Sequence, residues 1–126
     1  MFLSAVHHVS IIVSDYTRSR HFYVDLLELP VVREHYQPAR GSYKLDLRAG
    51  NIELEIFCFA DAPARPDHPE ALGLRHLAFA VPNLDHAISW LEKKGIETEP
   101  VRSDPYSGGR FTFFKDPDGL PLELHE

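Results

Sequence analysis

Sliding the 126-residue sequence by 68 positions places His8 on His76, Val13 on Val81, Asp15 on Asn83 and Glu55 on Glu123. The His-to-Glu separation is 47 residues in both copies. This repeat constrains the fold more than any single motif, because each copy must be one supersecondary unit burying the same faces. Each half reads as strand, helix and three further strands. The first has a strand at 6–13, then a helix capped by Ser14 or Asp15 and running to about Leu27. Strands starting at Val31, at Tyr43–Leu47 and at Ile52–Phe59 follow. The second has strands at Leu74–Val81, Glu97–Val101, Arg110–Lys115 and Leu120–His125, with a helix capped by Asn83 or Asp85 and stopped near Gly95. The predicted class is α+β: a single domain, 1–126, of two βαβββ modules at about 4–59 and 73–126. The Pro-rich segment 60–72 reads as an extended linker, since its prolines cannot join a sheet interior.

Strand alternation then sorts the polar residues. In the first strand His7, Val9, Ile11 and Val13 share one face, and His8, Ser10 and Ile12 share the other. In the matching strand Leu77, Phe79 and Val81 oppose His76, Ala78 and Ala80. The bulkier face of each should pack on the following helix, leaving His8 and His76 on faces with room for a ligand. In the fourth strand of each module Leu54 and Ile56, or Leu122 and Leu124, face the core. Glu53 and Glu55, or Glu123 and His125, face away. Parity alone does not choose between Glu53 and Glu55; the repeat does, because Glu55 matches Glu123 and Glu53 matches Pro121. Two imidazoles and two carboxylates suit a divalent first-row metal, and four protein ligands on an octahedral ion leave two positions open. A lone strand histidine or glutamate is ordinarily structural or solvated, and it is the fourfold match across a repeat that changes the reading.

Bulk properties narrow the partners. A net charge of −6 argues against nucleic acid and anionic membrane surfaces, and no apolar run has transmembrane length. The first residues lack a basic flank and a small-residue cleavage site, so no signal peptide is expected. The single cysteine, Cys58, excludes an intrachain disulfide and fits a reducing, cytoplasmic location. By parity it lies on the core side.

HHVSIIVSD with RHFYVDLLEL, NIELEIF, GLRHLAFAVPNLDHAISWLEKKGI and RFTFFKDPDGLPLELHE together resemble the vicinal oxygen chelate superfamily. Within it they are similar to the short bacterial glyoxalase I-like proteins. The resemblance covers nearly the whole chain. It implies paired βαβββ modules, each sheet curled into a half-barrel around a metal cavity, with His8, Glu55, His76 and Glu123 as ligands. It further implies a nickel- or cobalt-activated lyase, with zinc, iron or manganese as alternative metals. The implied reaction turns a methylglyoxal–glutathione hemithioacetal into a 2-hydroxyacyl thioester by metal-stabilised enediolate proton transfer, with Glu123 as the base and Glu55 as second candidate.

Two positions depart from the family pattern. The Arg and Asn expected to grip glutathione are Ile12 and Phe59. Arg40, Lys44, Arg102 and Arg110 are the cations available to replace them, and His125 shares the parity of Glu123. Arg110, Lys44 and His125 are therefore the candidate substrate contacts. The loop Asp104–Arg110 is a candidate cover over the cavity. Each module supplies one His–Glu pair, so two modules must meet, within a chain or across a homodimer; the homodimer is favoured. Competing expectations are a thiol transferase, an extradiol-type dioxygenase, and a resistance protein that sequesters a small molecule without turnover.

Overall fold

A computed structural model describes residues 1–59 and 61–126. The chain divides into two compact units, Met1–Ala64 and Arg65–Glu126. Each contains one four-stranded mixed sheet with open edges, and neither sheet closes into a barrel.

In the first unit β1 (His8–Val13) leads into α1 (Tyr16–Arg20), and then come β2 (Val31–Gln37), β3 (Ser42–Ala49) and β4 (Ile52–Cys58). The sheet order is β1-β4-β3-β2, with β1 parallel to β4 and the other neighbours antiparallel. Asp15 caps α1, its Oδ1 accepting from the Arg18 amide at 3.0 Å. The continuous helix expected to Leu27 is not formed. After one short α-helical stretch the chain widens into a π-helical segment, His21–Leu26, which buries Phe22 and Tyr23. That segment ends where the Leu29 amide reaches back to the Tyr23 carbonyl at 3.1 Å. Glu28 takes the left-handed conformation there (φ 59°), a position usually given to glycine. Leu45, Leu47, Leu54 and Ile56 form the fully buried floor of the core, and Cys58 is also buried.

In the second unit β5 (Leu77–Ala80) precedes α2 (Leu84–Lys93), followed by β6 (Arg102–Ser103), β7 (Arg110–Lys115) and β8 (Pro121–His125). The order β5-β8-β7-β6 repeats that of the first sheet. Asn83 caps α2 by accepting from the His86 amide at 3.0 Å. The Ile96 amide closes the helix on the Leu91 carbonyl around Gly95, whose φ is +78°. Replacing Asn83 with Ala is expected to cost about 1 kcal/mol, read as a melting temperature lower by about 4 °C.

Two strand expectations need correction. The strand expected from Leu74 begins only at Leu77, because the Arg75 carbonyl accepts from the Arg65 guanidinium at 3.1 Å instead of entering the ladder. The strand expected over 97–101 is not formed, and only Arg102–Ser103 pairs with β7. Pro100 has no amide to donate. Glu99 is instead tied to β7 by its own amide on the Phe113 carbonyl (2.9 Å) and by the Thr112 hydroxyl on its carbonyl (2.6 Å). No helix among the described residues is long and apolar enough to cross a membrane.

Candidate metal centre

Each sheet carries one His–Glu pair on its open face, with His8, Glu55 and Glu123 set there by their strands and His76 from just ahead of one. In the first unit His8 Nε2 lies 3.5 Å from Glu55 Oε1, across the parallel β1–β4 ladder. In the second, His76 Nε2 lies 3.4 Å from Glu123 Oε1, with His76 just ahead of β5 and Glu123 within β8. Two donors about 2.1 Å from one ion and at right angles would stand about 3 Å apart. Each pair therefore has the spacing of neighbouring ligands, and imidazole with carboxylate is a suitable donor set for a divalent first-row metal. Within the described residues no three His, Cys, Asp or Glu side chains gather into a single metal-sized cluster. Among the described residues each unit brings together one His–Glu pair.

The two carboxylates sit in different surroundings. Glu55 Oε1 accepts from the Ser10 hydroxyl at 2.9 Å, and Oε2 faces Lys44 Nζ at 3.4 Å. Glu123 is 9% exposed, and among the described residues its only polar partner is His76. Glu123 Oε2, with no described partner, keeps access to the open face and so is free to take a cation. The His76 ring is held edge-on against Phe113, centroids 5.0 Å apart.

The chain belongs to a known family: residues 5–124 match the model of the Glyoxalase/Bleomycin resistance protein/Dioxygenase superfamily. This is a glyoxalase-superfamily protein. An uncharacterized Bacillus subtilis (strain 168) protein, YwkD, is 57% identical over all of this chain and 99% of its own. The crystal structure of a glyoxalase family protein from Enterococcus faecalis superposes with a TM-score of 0.95 at 53% identity, covering 100% of both chains. A 2-epi-5-epi-valiolone epimerase from an Actinomyces species is 30% identical over 95% of this chain and 78% of its own.

Four residues that parity and repeat did not single out complete the two faces of this glyoxalase-superfamily chain. His7 shares a hydrogen bond with His8 between their Nδ1 atoms at 2.9 Å, which leaves the His8 Nε2 directed at Glu55. His7 precedes the first residue of β1, so its ring is not bound by the strand's alternation. Ser10 and Phe113 contact the Glu55 carboxylate and the His76 ring, as described. Asp46 is fully buried, paired through Oδ2 with Arg33 (2.6 Å) and Lys44 (3.2 Å), while its Oδ1 has no hydrogen-bond partner among the described residues. Arg33 also reaches Glu53 at 2.9 Å, so the carboxylate that the repeat set aside has a structural partner. Burial pushes the Asp46 carboxyl up, but hydrogen bonds from Arg33 and Lys44, with their charges, outweigh it and leave the group below the usual carboxylate range. Burial likewise pulls the Lys44 ammonium down, and Asp46 with Glu55 more than reverse that.

The expected substrate contacts separate. Lys44 stands on the open face but is shared between Asp46 and Glu55. Arg110 lies on the opposite face of β7 from Phe111 and Phe113, and its guanidinium is bonded to Asp85 of α2 (2.9 Å) and near Glu126 (3.5 Å). It is placed as a sheet-to-helix tie. His125 lies flat against Phe111, ring centroids 6.0 Å apart, with its Nδ1 3.0 Å from the Glu126 carbonyl. The Asp104–Arg110 loop is closed on itself by Asp104, which accepts from the Tyr106 amide at 2.8 Å and exchanges backbone hydrogen bonds with Gly108 and Gly109.

Proposed function

We propose that the pairs His8–Glu55 and His76–Glu123 together hold one divalent cation, and that the protein catalyses proton transfer at a carbon beside a carbonyl. The activity nearest to this description is that of glyoxalase I on a methylglyoxal–glutathione hemithioacetal, a lyase reaction. The observation that carries the reading is Glu123: a nearly buried carboxylate facing an imidazole, with one oxygen uncommitted. Bound there, nickel or cobalt would supply Lewis-acid polarisation of the substrate oxygens. Glu123 removes the proton from the carbon bearing the thioether and returns it to the neighbouring carbon, giving the 2-hydroxyacyl thioester. Glu55 is the fixed member, since Ser10 and Lys44 occupy both of its oxygens. His7 and Phe113 hold the imidazoles in orientation. One unit carries only two of the four donors, so the site needs two units, from one chain or from a two-fold partner, and we favour a cytoplasmic homodimer.

The similarity to an epimerase supports a second reading within the same chemistry. An epimerase also moves a proton, so the two readings differ in substrate rather than in the role of Glu123. Turnover of the methylglyoxal–glutathione hemithioacetal by nickel- or cobalt-reconstituted protein, against a stripped control, tests the first. Metal-dependent turnover supports it, whereas silence from protein holding one metal per site rules out that substrate. Chelation is also expected to lower the melting temperature reversibly, because a ligand at a hundred times its Kd stabilises the folded state by about 2.7 kcal/mol. An unchanged melting temperature after verified stripping and readdition would count against the site.

A further inference from the structure

The open face of the second unit is the floor of a cavity of about 710 Å³, formed entirely within that unit. Its size is that of a small-molecule site. Phe111, Phe113 and Lys115 project from β7 onto this face, with His76 and Glu123 beside them. The remaining lining comes from the segment Arg65–Arg75, whose residues up to Leu72 read as linker in the sequence.

The cavity's cations are mostly committed. Arg65 is paired with Asp67 at 2.6 Å, Arg75 with Glu70, and Arg102 with Glu99 at 3.1 Å. Arg102 also lies over Phe111 and Phe113, 5.5 and 5.3 Å from their centroids, and so extends the aromatic floor. Of the described cations around the cavity, Lys115 is the one with no ion pair. It is two residues along β7 from Phe113, the cross-strand partner of Glu123. That step makes it a diagonal cross-strand neighbour of Glu123, with attachment points about 7–8 Å apart.

The corresponding face of the first unit has a different character. Asp46, paired in the ladder with Glu55 as Phe113 is with Glu123, anchors Arg33 and Lys44 there. Fixed ion pairs occupy that face where the second unit has two phenylalanines.

We propose that the second unit is the substrate-binding half and that it selects a small organic acid. The acid's anionic group pairs with Lys115, and its flat or apolar body lies across Phe111 and Phe113. The carbon beside its carbonyl is thereby brought to Glu123. The proposal rests on the proton-transfer reading for that last point alone; recognition by Lys115 and the two rings stands on the cavity.

Isothermal titration with phenylpyruvate and with its neutral analogue phenylacetone tests it, on the full-length protein as purified and after chelation. Lys115→Met should weaken phenylpyruvate binding about two- to fivefold, the scale of one exposed charge pair, and leave phenylacetone unaffected. Added salt should weaken the acid and spare the ketone. Phe111→Ala should weaken both. Equal affinity of wild type and Lys115→Met for the acid overturns the proposal, as does absence of saturable binding in the wild type. The metal reading fails separately: it predicts that His76→Ala lowers bound metal, whereas dependence on Lys115 persists in stripped protein.

Discussion

Glu123→Gln should lower kcat/KM by about a thousandfold, within the range lost when a positioned general base is removed, while the protein stays folded. Gln keeps the size of the side chain and an oxygen donor but cannot accept and return a proton. Glu123 is the better candidate of the two carboxylates because its second oxygen has no described partner, whereas both oxygens of Glu55 are engaged. Glu55→Gln should act mainly through metal affinity, reducing bound metal and being partly rescued by excess nickel. Glu123→Gln should not be rescued. Kinetics with metal analysis on both variants decides the matter, and rescue of Glu123→Gln by excess metal would transfer the base role elsewhere.

Asp46→Ala should cost about 2–4 kcal/mol, approaching the penalty for removing one member of a buried ion pair. Its two cations retain Glu53 and Glu55 as partners, which keeps the loss below the upper limit of such cases. The same residue sets a pH dependence. Its carboxyl titrates below the ordinary carboxylate range in the folded protein, so its contribution is complete above about pH 4, where an unfolded Asp is ionised. It fades as pH falls through the lower, folded-state value. Thermal melts from neutral to acid pH should show a shallower acid loss in Asp46→Asn than in wild type, from a lower starting stability. Coincident slopes would show that the acid loss arises at other groups.

The architecture was legible because period-two alternation and a 68-residue repeat report the same faces. Leu54, Ile56, Leu122 and Leu124 are buried where parity placed them, and His8 lies beside Glu55, as His76 does beside Glu123. The failures lie where backbone hydrogen bonds are diverted from the regular ladder. Arg65 captures the Arg75 carbonyl and Thr112 captures that of Glu99, and neither long-range contact leaves a local sequence signal. The π-helical segment is similar, since Phe22 and Tyr23 fit an α-helical pattern as well as the wider one observed. Arg110 illustrates the limit of reading charge by type. A cation near a site and a cation tying a strand to a helix look alike until Asp85 is seen opposite it. Asp46 gave the opposite difficulty: a charged residue on a clean alternating strand reads as solvent-facing, yet it is buried beneath two cations.

The alternation of β7 separates two kinds of constraint within six residues. Thr112 and Phe114 are buried in the core, whereas Phe111, Phe113 and Lys115 border the cavity. A lineage could therefore change what the cavity accepts by exchanging Phe111 or Lys115, with little effect on the packing beneath or on the contact of Phe113 with His76. Because the ion pairs that fix Glu55 belong to the other copy, such exchanges would leave that carboxylate's setting intact. Repetition of the module thus lets one face carry fixed ion pairs while the other carries aromatic side chains.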